Sequence, residues 1–353
     1  MGKILMKGNE AIGAAAIKAG CKYFFGYPIT PQNELPEFMS RELPKLGGVF
    51  VQAESEVSAI NMIYGAAGSG VRTMTSSSSP GLALKQEGIS YIAGAELPCV
   101  IVNISRGGPG LGGIQPSQAD YYMCTRGGGN GDYRHVVYAP ATLQEAVDLT
   151  MEAFDIADYY RNPVIILADG MTGQMMEPVE FKETTKRDMP AKDWAATGTE
   201  EKRDPNIINS LFLDPVELEQ HNFKLDKKYK AIEEKEVRCE MYKMEDAELV
   251  MVAYGTTSRI VKNAIDALRE ENIKVGLLRP ITLWPFPNRE FTELPSSTKA
   301  LLTVEMSMGQ MIDDVKIANE GRLPVHFYGR AGGMIPTPEA IIEKAKEILG
   351  GAK

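Results

Sequence analysis

The sequence predicts an α/β protein of two domains, and three observations carry the prediction. Short β-branched and aromatic runs alternate with segments of helical period, the pattern of strands joined by helices in a parallel sheet. One run, CVIVNIS (99–105), is almost continuously apolar, as expected of a central strand covered on both faces. From 178 to 245 the texture changes to charge runs, EFKETTKRDMPAKDW and KLDKKYKAIEEKEVRCEMYKMED, between two more apolar stretches. At 353 residues, 44% hydrophobic and 24% charged, the chain is long enough for two cores. The predicted organisation is an α/β domain over 1–180, a charged linker or covering arm over 181–245, and a smaller α/β domain over 246–353.

Residues 9–19 read as a helix, and KYFFGY (22–27) as a strand entering the turn YPITP. A polar-capped helix is placed near 32–42, then a strand VFVQAE (49–54) and a helix carrying Glu56. VRTMT (71–75) is strand-like and GLALKQEGISYIAGAE helical. VVYAP (136–140) is placed at an edge of the same sheet. Thr142-Leu-Gln-Glu145 has capping-box spacing, and Leu143, Val147, Met151 and Phe154 form the buried stripe of the helix it opens. PVIILAD (163–169) closes this alternation. The second domain has strands in ELVMVAYG (248–255), VGLLRP (275–280), KALLTVEMS (299–307) and PVHFYG (324–329). Its first helix puts Ile260, Ala264, Ile265 and Leu268 on one side. A further helix lies near 310–320, and the last is capped by Thr337 with Pro338 at its first position.

Several function classes are excluded or disfavoured. A net charge of −9 without a Lys/Arg cluster argues against a nucleic-acid surface. MGKILMKGNEAIG has no apolar core of a signal peptide and no run is long enough to span a bilayer, so a cytoplasmic setting is expected. Cys21, Cys99, Cys124 and Cys239 lie far apart, without zinc or iron–sulfur spacing, and buried thiols are expected. No GxGxxG opens the first strand–helix unit and no GxxxxGK[ST] occurs, so a nucleotide site of either kind is not expected. No Ser-His-Asp order or HExxH is present. Of the three histidines, His135 after GDYR could approach a ligand, His221 lies in the polar segment and His326 alternates in a strand.

The informative signal is Glu56 in VQAESEVSAINMIYGAAGSG. On a helix Glu56, Ile60 and Ile63 share a face, so the acid lies on an apolar stripe. Either the phase is misread, with Glu54 or Glu56 facing water, or Glu56 is a buried acid placed to hold or pass a proton. Three loops would converge at the carboxyl ends of parallel strands, where α/β sheets bind ligands: YPITP, TSSSSPG and SRGGPG. Their polar groups are Thr30, Ser76, Ser77, Ser78, Ser79 and Arg106. The serines also suit a capped turn, and Arg106 a surface cation; at the end of an apolar strand beside glycines, Arg106 equally suits an anion receptor.

These residues form a pattern. GYPITPQNELPE, QAESEVSAINMIYGAAGSGVRTMTSSSSPG, YIAGAELPCVIVNISRGGPGLGGIQPSQAD and RNPVIILADG, with LRPITLWPFP, VEMSMGQM and YGRAGG in the second domain, resemble the alpha subunits of 2-oxoacid:ferredoxin oxidoreductases over essentially the whole chain. The resemblance is strongest to the branched-chain type acting on 3-methyl-2-oxobutanoate (2-oxoisovalerate). It implies a pyrimidine-binding domain of thiamine diphosphate enzymes followed by a transketolase C-terminal-like domain. It further implies that a beta subunit holds the diphosphate and Mg2+, that partner subunits, including gamma and ferredoxin-like delta chains, carry [4Fe-4S] clusters, and that coenzyme A is co-substrate and an external ferredoxin the acceptor, in anaerobic metabolism. No GDG…N diphosphate signature is found here: GDYR at 131–134 lacks the asparagine, and no metal ligand is assigned in this chain.

By the same resemblance Glu56 hydrogen-bonds N1′ of the aminopyrimidine and promotes the tautomer that helps remove the thiazolium C2 proton. Thr30 contacts substrate and Arg106 faces its carboxylate; Pro28 and Ser76–Ser79 line the cofactor. Two alternatives stay open: the alpha subunit of a 2-oxoglutarate:ferredoxin oxidoreductase, and a non-catalytic assembly or regulatory subunit that keeps the fold. A second substrate carboxylate needs a second cation, and Lys85 and Arg126 are the candidates.

Overall fold

The computed structural model describes residues 2–182 and 187–350. Strands β1 (Ile4–Lys7), β2 (Tyr23–Gly26), β3 (Val49–Gln52), β4 (Thr73–Ser77), β5 (Cys99–Ser105), β6 (Val136–Tyr138), β7 (Pro163–Asp169) and β8 (Met176–Val179) belong to the first half. Helices α1 (Gly8–Lys18), α2 (Glu34–Glu42), α3 (Glu56–Gly68), α4 (Ser79–Leu84), α5 (Gln86–Gly94), α6 (Tyr121–Thr125), α7 (Leu143–Tyr160) and α8 (Gly170–Gln174) alternate with them. The connector holds α9 (Pro215–Lys235) and β9 (Cys239–Tyr242). The remaining elements are β10 (Leu249–Val252), α10 (Gly255–Glu270), β11 (Val275–Pro280), β12 (Thr282–Trp284), β13 (Ala300–Glu305), α11 (Met311–Asn319), β14 (Val325–Gly329) and α12 (Pro338–Gly350).

The first sheet has the order β12-β6-β7-β5-β4-β2-β3, parallel throughout except for β12. Every residue of β5 and β7 is buried, which is why those runs show no alternation. Fully buried side chains such as Ile101, Val102 and Ile104 each contribute roughly 1.5–3 kcal/mol before entropy is counted. The second sheet has the order β14-β13-β10-β11-β9, with β9 antiparallel at its edge. A small ladder, β1 with β8, lies apart from both.

The strands and helices follow the sequence pattern closely, with instructive departures. VVYAP is not an edge of its sheet: Thr282–Trp284 pairs outside it as β12, and Ala139 N–H donates to Ile281 O at 2.8 Å. That strand is three residues long between Pro280 and Pro285, too short to announce itself by period. Strand β4 runs two residues further than VRTMT because its pairing with β5 continues through Ser76 and Ser77. The helix read across GLALKQEGISYIAGAE is two helices broken at Lys85, whose side chain turns inward. The Thr142 hydroxyl accepts from Glu145 N–H at 3.1 Å, and Leu143, Val147, Met151 and Phe154 are all buried. The reciprocal half of that box differs: Glu145 accepts from Ala141 N–H and pairs in a bidentate manner with Arg279 of β11.

In the connector, α9 lies on its own chain through Leu225, Tyr229 and Ile232, an i, i+4, i+7 stripe. Tyr229 meets Trp284 edge-on, with ring centroids 6.0 Å apart. The two sheets are joined by Gln118. Its side chain donates to Tyr254 O (2.9 Å) and accepts from Thr257 Oγ1 (2.8 Å) and Met306 N–H (3.0 Å). Among the described residues, no helix is long and apolar enough to cross a membrane.

Candidate active site

Strands β2, β3, β4 and β5 are parallel neighbours, so the loops that leave their carboxyl ends share one edge of the sheet. The loop after β3 ends at Ser55, whose hydroxyl accepts from Ser58 N–H at 3.2 Å and caps α3. Glu56 is therefore the first helical residue, where the positive end of the helix favours a carboxylate. It is 7% exposed and shares its buried face with Ala59, Ile60 and Ile63, while Glu54 faces solvent.

Across from Glu56 stands α4. A Cβ built on Gly81 would lie 2.3 Å from Ser77 Oγ and 2.6 Å from Glu56 Oε1, so only glycine leaves this space open. No side chain of the described residues hydrogen-bonds the Glu56 carboxylate. The buried hydroxyls of Ser77 and Ser78 and the amide nitrogen of Gln32 are also without partners. Orphaned polar groups this deep are uncommon in a folded chain.

The four serines divide. Ser76 Oγ donates to Gln32 Oε1 at 2.5 Å, inside the fold. Ser79 lies on the other side of α4: its hydroxyl accepts from Arg106 N–H (2.9 Å) and sits 2.6 Å from Asp120 Oδ2. Only Ser77 and Ser78 of the run present unpaired hydroxyls.

Arg106 staples two loops. Nη1 donates to Thr30 O (2.9 Å) and Nη2 to Leu111 O (3.1 Å), while Nε is buried without a partner. Thr30 is half-buried, its hydroxyl accepting from Asn33 at 3.4 Å. Pro28 is exposed and borders a separate cavity of about 210 Å³ with Asn33, Phe50 and Gln52. Glu56 and the serines do not line that cavity. A larger cavity of about 590 Å³ lies between α4, the glycine loop and the β13–α11 turn; Leu111, Met123, Met306 and Met308 are among its walls.

Two residues of this edge go beyond the sequence reading, which does not single out Asp120 and takes Lys85 only as a candidate second cation for substrate. Asp120 is buried, accepts from Asn103 Nδ2 at 2.8 Å, and burial pushes its carboxyl above the usual range against the pull of its hydrogen bonds and of Arg106. An acid after a glycine loop reads as a helix cap, although its side chain makes no cap bond. Lys85 is fully buried; Nζ donates to Thr75 Oγ1 (2.6 Å) and Ser76 O (3.1 Å). Burial pulls its pKa down to about 7, opposed by the Glu56 carboxylate. Arg126 is engaged with Asp314 at 2.8 Å. His135 does not reach the site: it is buried against the Cys124 carbonyl.

The fold and this edge define a thiamine-diphosphate type of protein, a pyrimidine-binding domain followed by a transketolase-like C-terminal domain. A split-gene transketolase (inactive beta4 tetramer) superposes with a TM-score of 0.60 at 15% identity, covering 98% of each chain, which bears on fold alone. Residues 14–244 match the thiamine-diphosphate-binding model of pyruvate flavodoxin/ferredoxin oxidoreductases, and 247–341 match core domain II of pyruvate:ferredoxin oxidoreductase. The chain belongs to this 2-oxoacid:ferredoxin oxidoreductase family, as an alpha-type subunit. The ketoisovalerate oxidoreductase subunit VorB of Methanothermobacter marburgensis is 53% identical over 346 residues, covering 98% of both chains. A structure of 2-oxoglutarate:ferredoxin oxidoreductase from Magnetococcus marinus, with 2-oxoglutarate, coenzyme A and succinyl-CoA bound, has a TM-score of 0.86 at 28% identity. The match covers 98% of this chain and 65% of that one.

The residues present fit the pyrimidine half of the cofactor. An aminopyrimidine carries a ring nitrogen for an acid and further donors and acceptors for hydroxyl and amide groups. The Glu56 carboxylate and the unpartnered Ser77 hydroxyl at the space kept by Gly81, with the unpartnered Ser78 hydroxyl next along the chain, are such a set.

Proposed function

We propose that this chain supplies the pyrimidine side of the active site in a complex that oxidatively decarboxylates branched-chain 2-oxoacids, 3-methyl-2-oxobutanoate first among them. The reading is carried by the Glu56 carboxylate, on a residue 7% exposed and facing, with the unpartnered Ser77 hydroxyl, the space kept open by Gly81. Thiamine diphosphate, when bound, supplies the electron sink on which a 2-oxoacid loses its carboxylate. Glu56 holds a proton against the pyrimidine ring nitrogen, and Ser77 and Ser78 complete that wall. Ser76 and Ser79 support it from behind, and Pro28 shapes the turn that carries Thr30. Arg106 orients the substrate carboxylate, using its unpaired Nε and a planar fork that can exchange a main-chain carbonyl for a carboxylate oxygen. The Thr30 hydroxyl contacts the same group.

The reaction balances as 2-oxoacid plus coenzyme A giving acyl-CoA, CO2 and a proton, with two electrons passed singly to ferredoxin. The partners are a beta chain with the diphosphate and Mg2+, and gamma and delta chains; [4Fe-4S] clusters in partner subunits conduct the electrons. Domain limits of 1–180, 181–245 and 246–353 serve as working units, with β9 and β12 crossing between them in space.

The substrate preference has its own support. The two cations that could have received a second carboxylate are engaged: Lys85 inside the sheet and Arg126 on Asp314. Assayed with ferredoxin and coenzyme A, the assembled complex is expected to show a kcat/KM for 2-oxoisovalerate at least tenfold above that for 2-oxoglutarate. A preference for 2-oxoglutarate, as the bound ligand of the Magnetococcus marinus enzyme would suggest, overturns this reading.

A further inference from the structure

Asp120 is a buried acid at this edge with no part in the reading above. The glycine loop leaves β5 at Arg106 and turns back on itself: Arg106 and Pro116 form an antiparallel bridge, and Gly107 N–H donates to Gln115 O at 2.9 Å. The neck of this loop is fastened from outside. Ser79, the first residue of α4, accepts from Arg106 N–H at 2.9 Å, and its hydroxyl lies 2.6 Å from Asp120 Oδ2, just beyond the end of the loop. Asn103 sets the direction of that second bond. Its amide nitrogen donates to Asp120 Oδ2 at 2.8 Å, and such a nitrogen can only donate, so Oδ2 carries no proton. Ser79 therefore gives its single proton to Asp120 and keeps its lone pairs for Arg106 N–H. The Arg106 carbonyl, 3.2 Å from the same hydroxyl, has no proton left to take from it. Asn103 also stands opposite Ser77 in the register of β5 against β4. One carboxylate thus lies between the arginine loop and the strand end that carries the pyrimidine wall.

We propose that Asp120 is a positioning residue for Arg106: it takes the Ser79 proton, so that the Ser79 hydroxyl holds the Arg106 main chain and with it the direction in which the guanidinium meets the 2-oxoacid carboxylate. The guanidinium itself is held by two carbonyls, Thr30 O and Leu111 O, both on loops. When a carboxylate oxygen replaces one of them, the fixed point that remains is the main chain of Arg106. A planar fork pairs well with two oxygens only in a narrow geometry, and small misplacements are costly. With Asp120 removed, the Ser79 hydroxyl loses the acceptor that fixes its rotation, and Asn103 loses its partner. The requirement is for an acceptor rather than for a charge. Both bonds fall on Oδ2, a place that an amide oxygen can fill.

The inference rests on the carboxylate reading of Arg106, and Arg106→Lys separates the two. In the assembled complex, assayed with ferredoxin and coenzyme A, Ser79→Ala and Asp120→Ala are each expected to raise KM for 2-oxoisovalerate at least tenfold, with kcat within threefold. The double variant should be no more than twofold worse than the worse single, because the two side chains act in one chain of bonds. Asp120→Asn offers an amide oxygen to both donors and is expected to restore KM to within threefold of wild type. Hydrogen–deuterium exchange at the Arg106 amide reads the same link without turnover: at least tenfold faster in Ser79→Ala, and within threefold of wild type in Asp120→Asn. An Asp120→Asn complex as impaired as Asp120→Ala overturns the proposal, since charge would then be what matters. An unchanged Arg106 exchange rate in Ser79→Ala overturns it as well, and so does a KM moved by Arg106→Lys but not by Ser79→Ala. A KM moved by neither overturns the carboxylate reading of Arg106, and the proposal with it. If Asp120→Ala does not fold, Ser79→Ala and Asp120→Asn decide by the same limits.

Discussion

Two buried glutamates, Glu56 and Glu305, stand at strand-to-helix turns in the two halves of the molecule, and they are kept in opposite ways. Glu305 ends β13 with no exposed surface and accepts from the Ser307 hydroxyl (2.8 Å) and from main-chain N–H groups of Gln310 (3.1 Å), Met311 (3.1 Å) and Ile312 (3.0 Å). Its carboxylate closes the start of α11, doing there what a capping residue does. Glu56 has a helix start nearby too, but Ser55 caps it, and the carboxylate is left without a hydrogen bond from the described residues. A buried acid saturated by its own backbone has no capacity left for a ligand. One left open among orphaned hydroxyls has the capacity and no structural reason for it.

The comparison breaks first at Glu56. Glu56→Gln keeps the shape and removes the proton exchange, so kcat of the assembled complex is expected to fall by roughly 10²–10⁴-fold, the usual scale of acid–base catalysis. Subunit assembly and Tm should hold. Activity near the wild-type value would remove the functional half of the contrast. Glu305→Gln should do the reverse. Both carboxylate oxygens receive donors, and an amide NH2 turned toward N–H groups strands at least one of them; the cost is about 2–3 kcal/mol. A lowered Tm with kcat per folded complex little changed is expected. A variant that keeps its Tm but loses activity would mark Glu305 as part of the chemistry.

Much of this edge is legible in the sequence because its signals are local. An acid on an apolar helical stripe, a Pro/Thr turn after a strand and an arginine between an apolar run and glycines each fall within a few residues. The open structural question of phase is resolved by exposure, Glu54 outside and Glu56 inside. What stays hidden depends on pairs far apart in the chain. Lys85 in GLALKQE reads as a candidate cation for a second substrate carboxylate, yet its ammonium is turned into the fold, where Thr75 and Ser76 accept its protons. Gln118 carries no pattern, yet it joins the two sheets through Tyr254, Thr257 and Met306. Strand β12 is three residues with prolines at both flanks, and only its register against β6 makes it a strand. The division of the four serines likewise has no local signal, since it is set by α4 turning Ser79 toward Arg106 and Gly81 toward Glu56.

His135 sharpens what an orphaned group means. Its Nδ1 is buried without a partner, as the Ser77 and Ser78 hydroxyls are, but it lies just before β6 with its ring 5.8 Å from that of Tyr133, and no glycine of the described residues keeps space beside it. An isolated orphan of this kind is a stability feature, and its signature is pH dependence. Burial pulls the imidazole down from 6.5 to about 4, opposed by its bond to the Cys124 carbonyl. Between those values the unfolded chain holds a proton that the folded chain does not, so stability falls as pH falls from about 6.5 toward 4; above 6.5 both forms are neutral and the effect is absent. Thermal scans should show that decline in the wild type, with His135→Gln, which keeps a donor for the Cys124 carbonyl and has nothing to protonate, declining less by about 2–4 °C. An equal decline in both would move His135 out of the class of isolated orphans, and would require its Nδ1 to find a partner in the assembled protein.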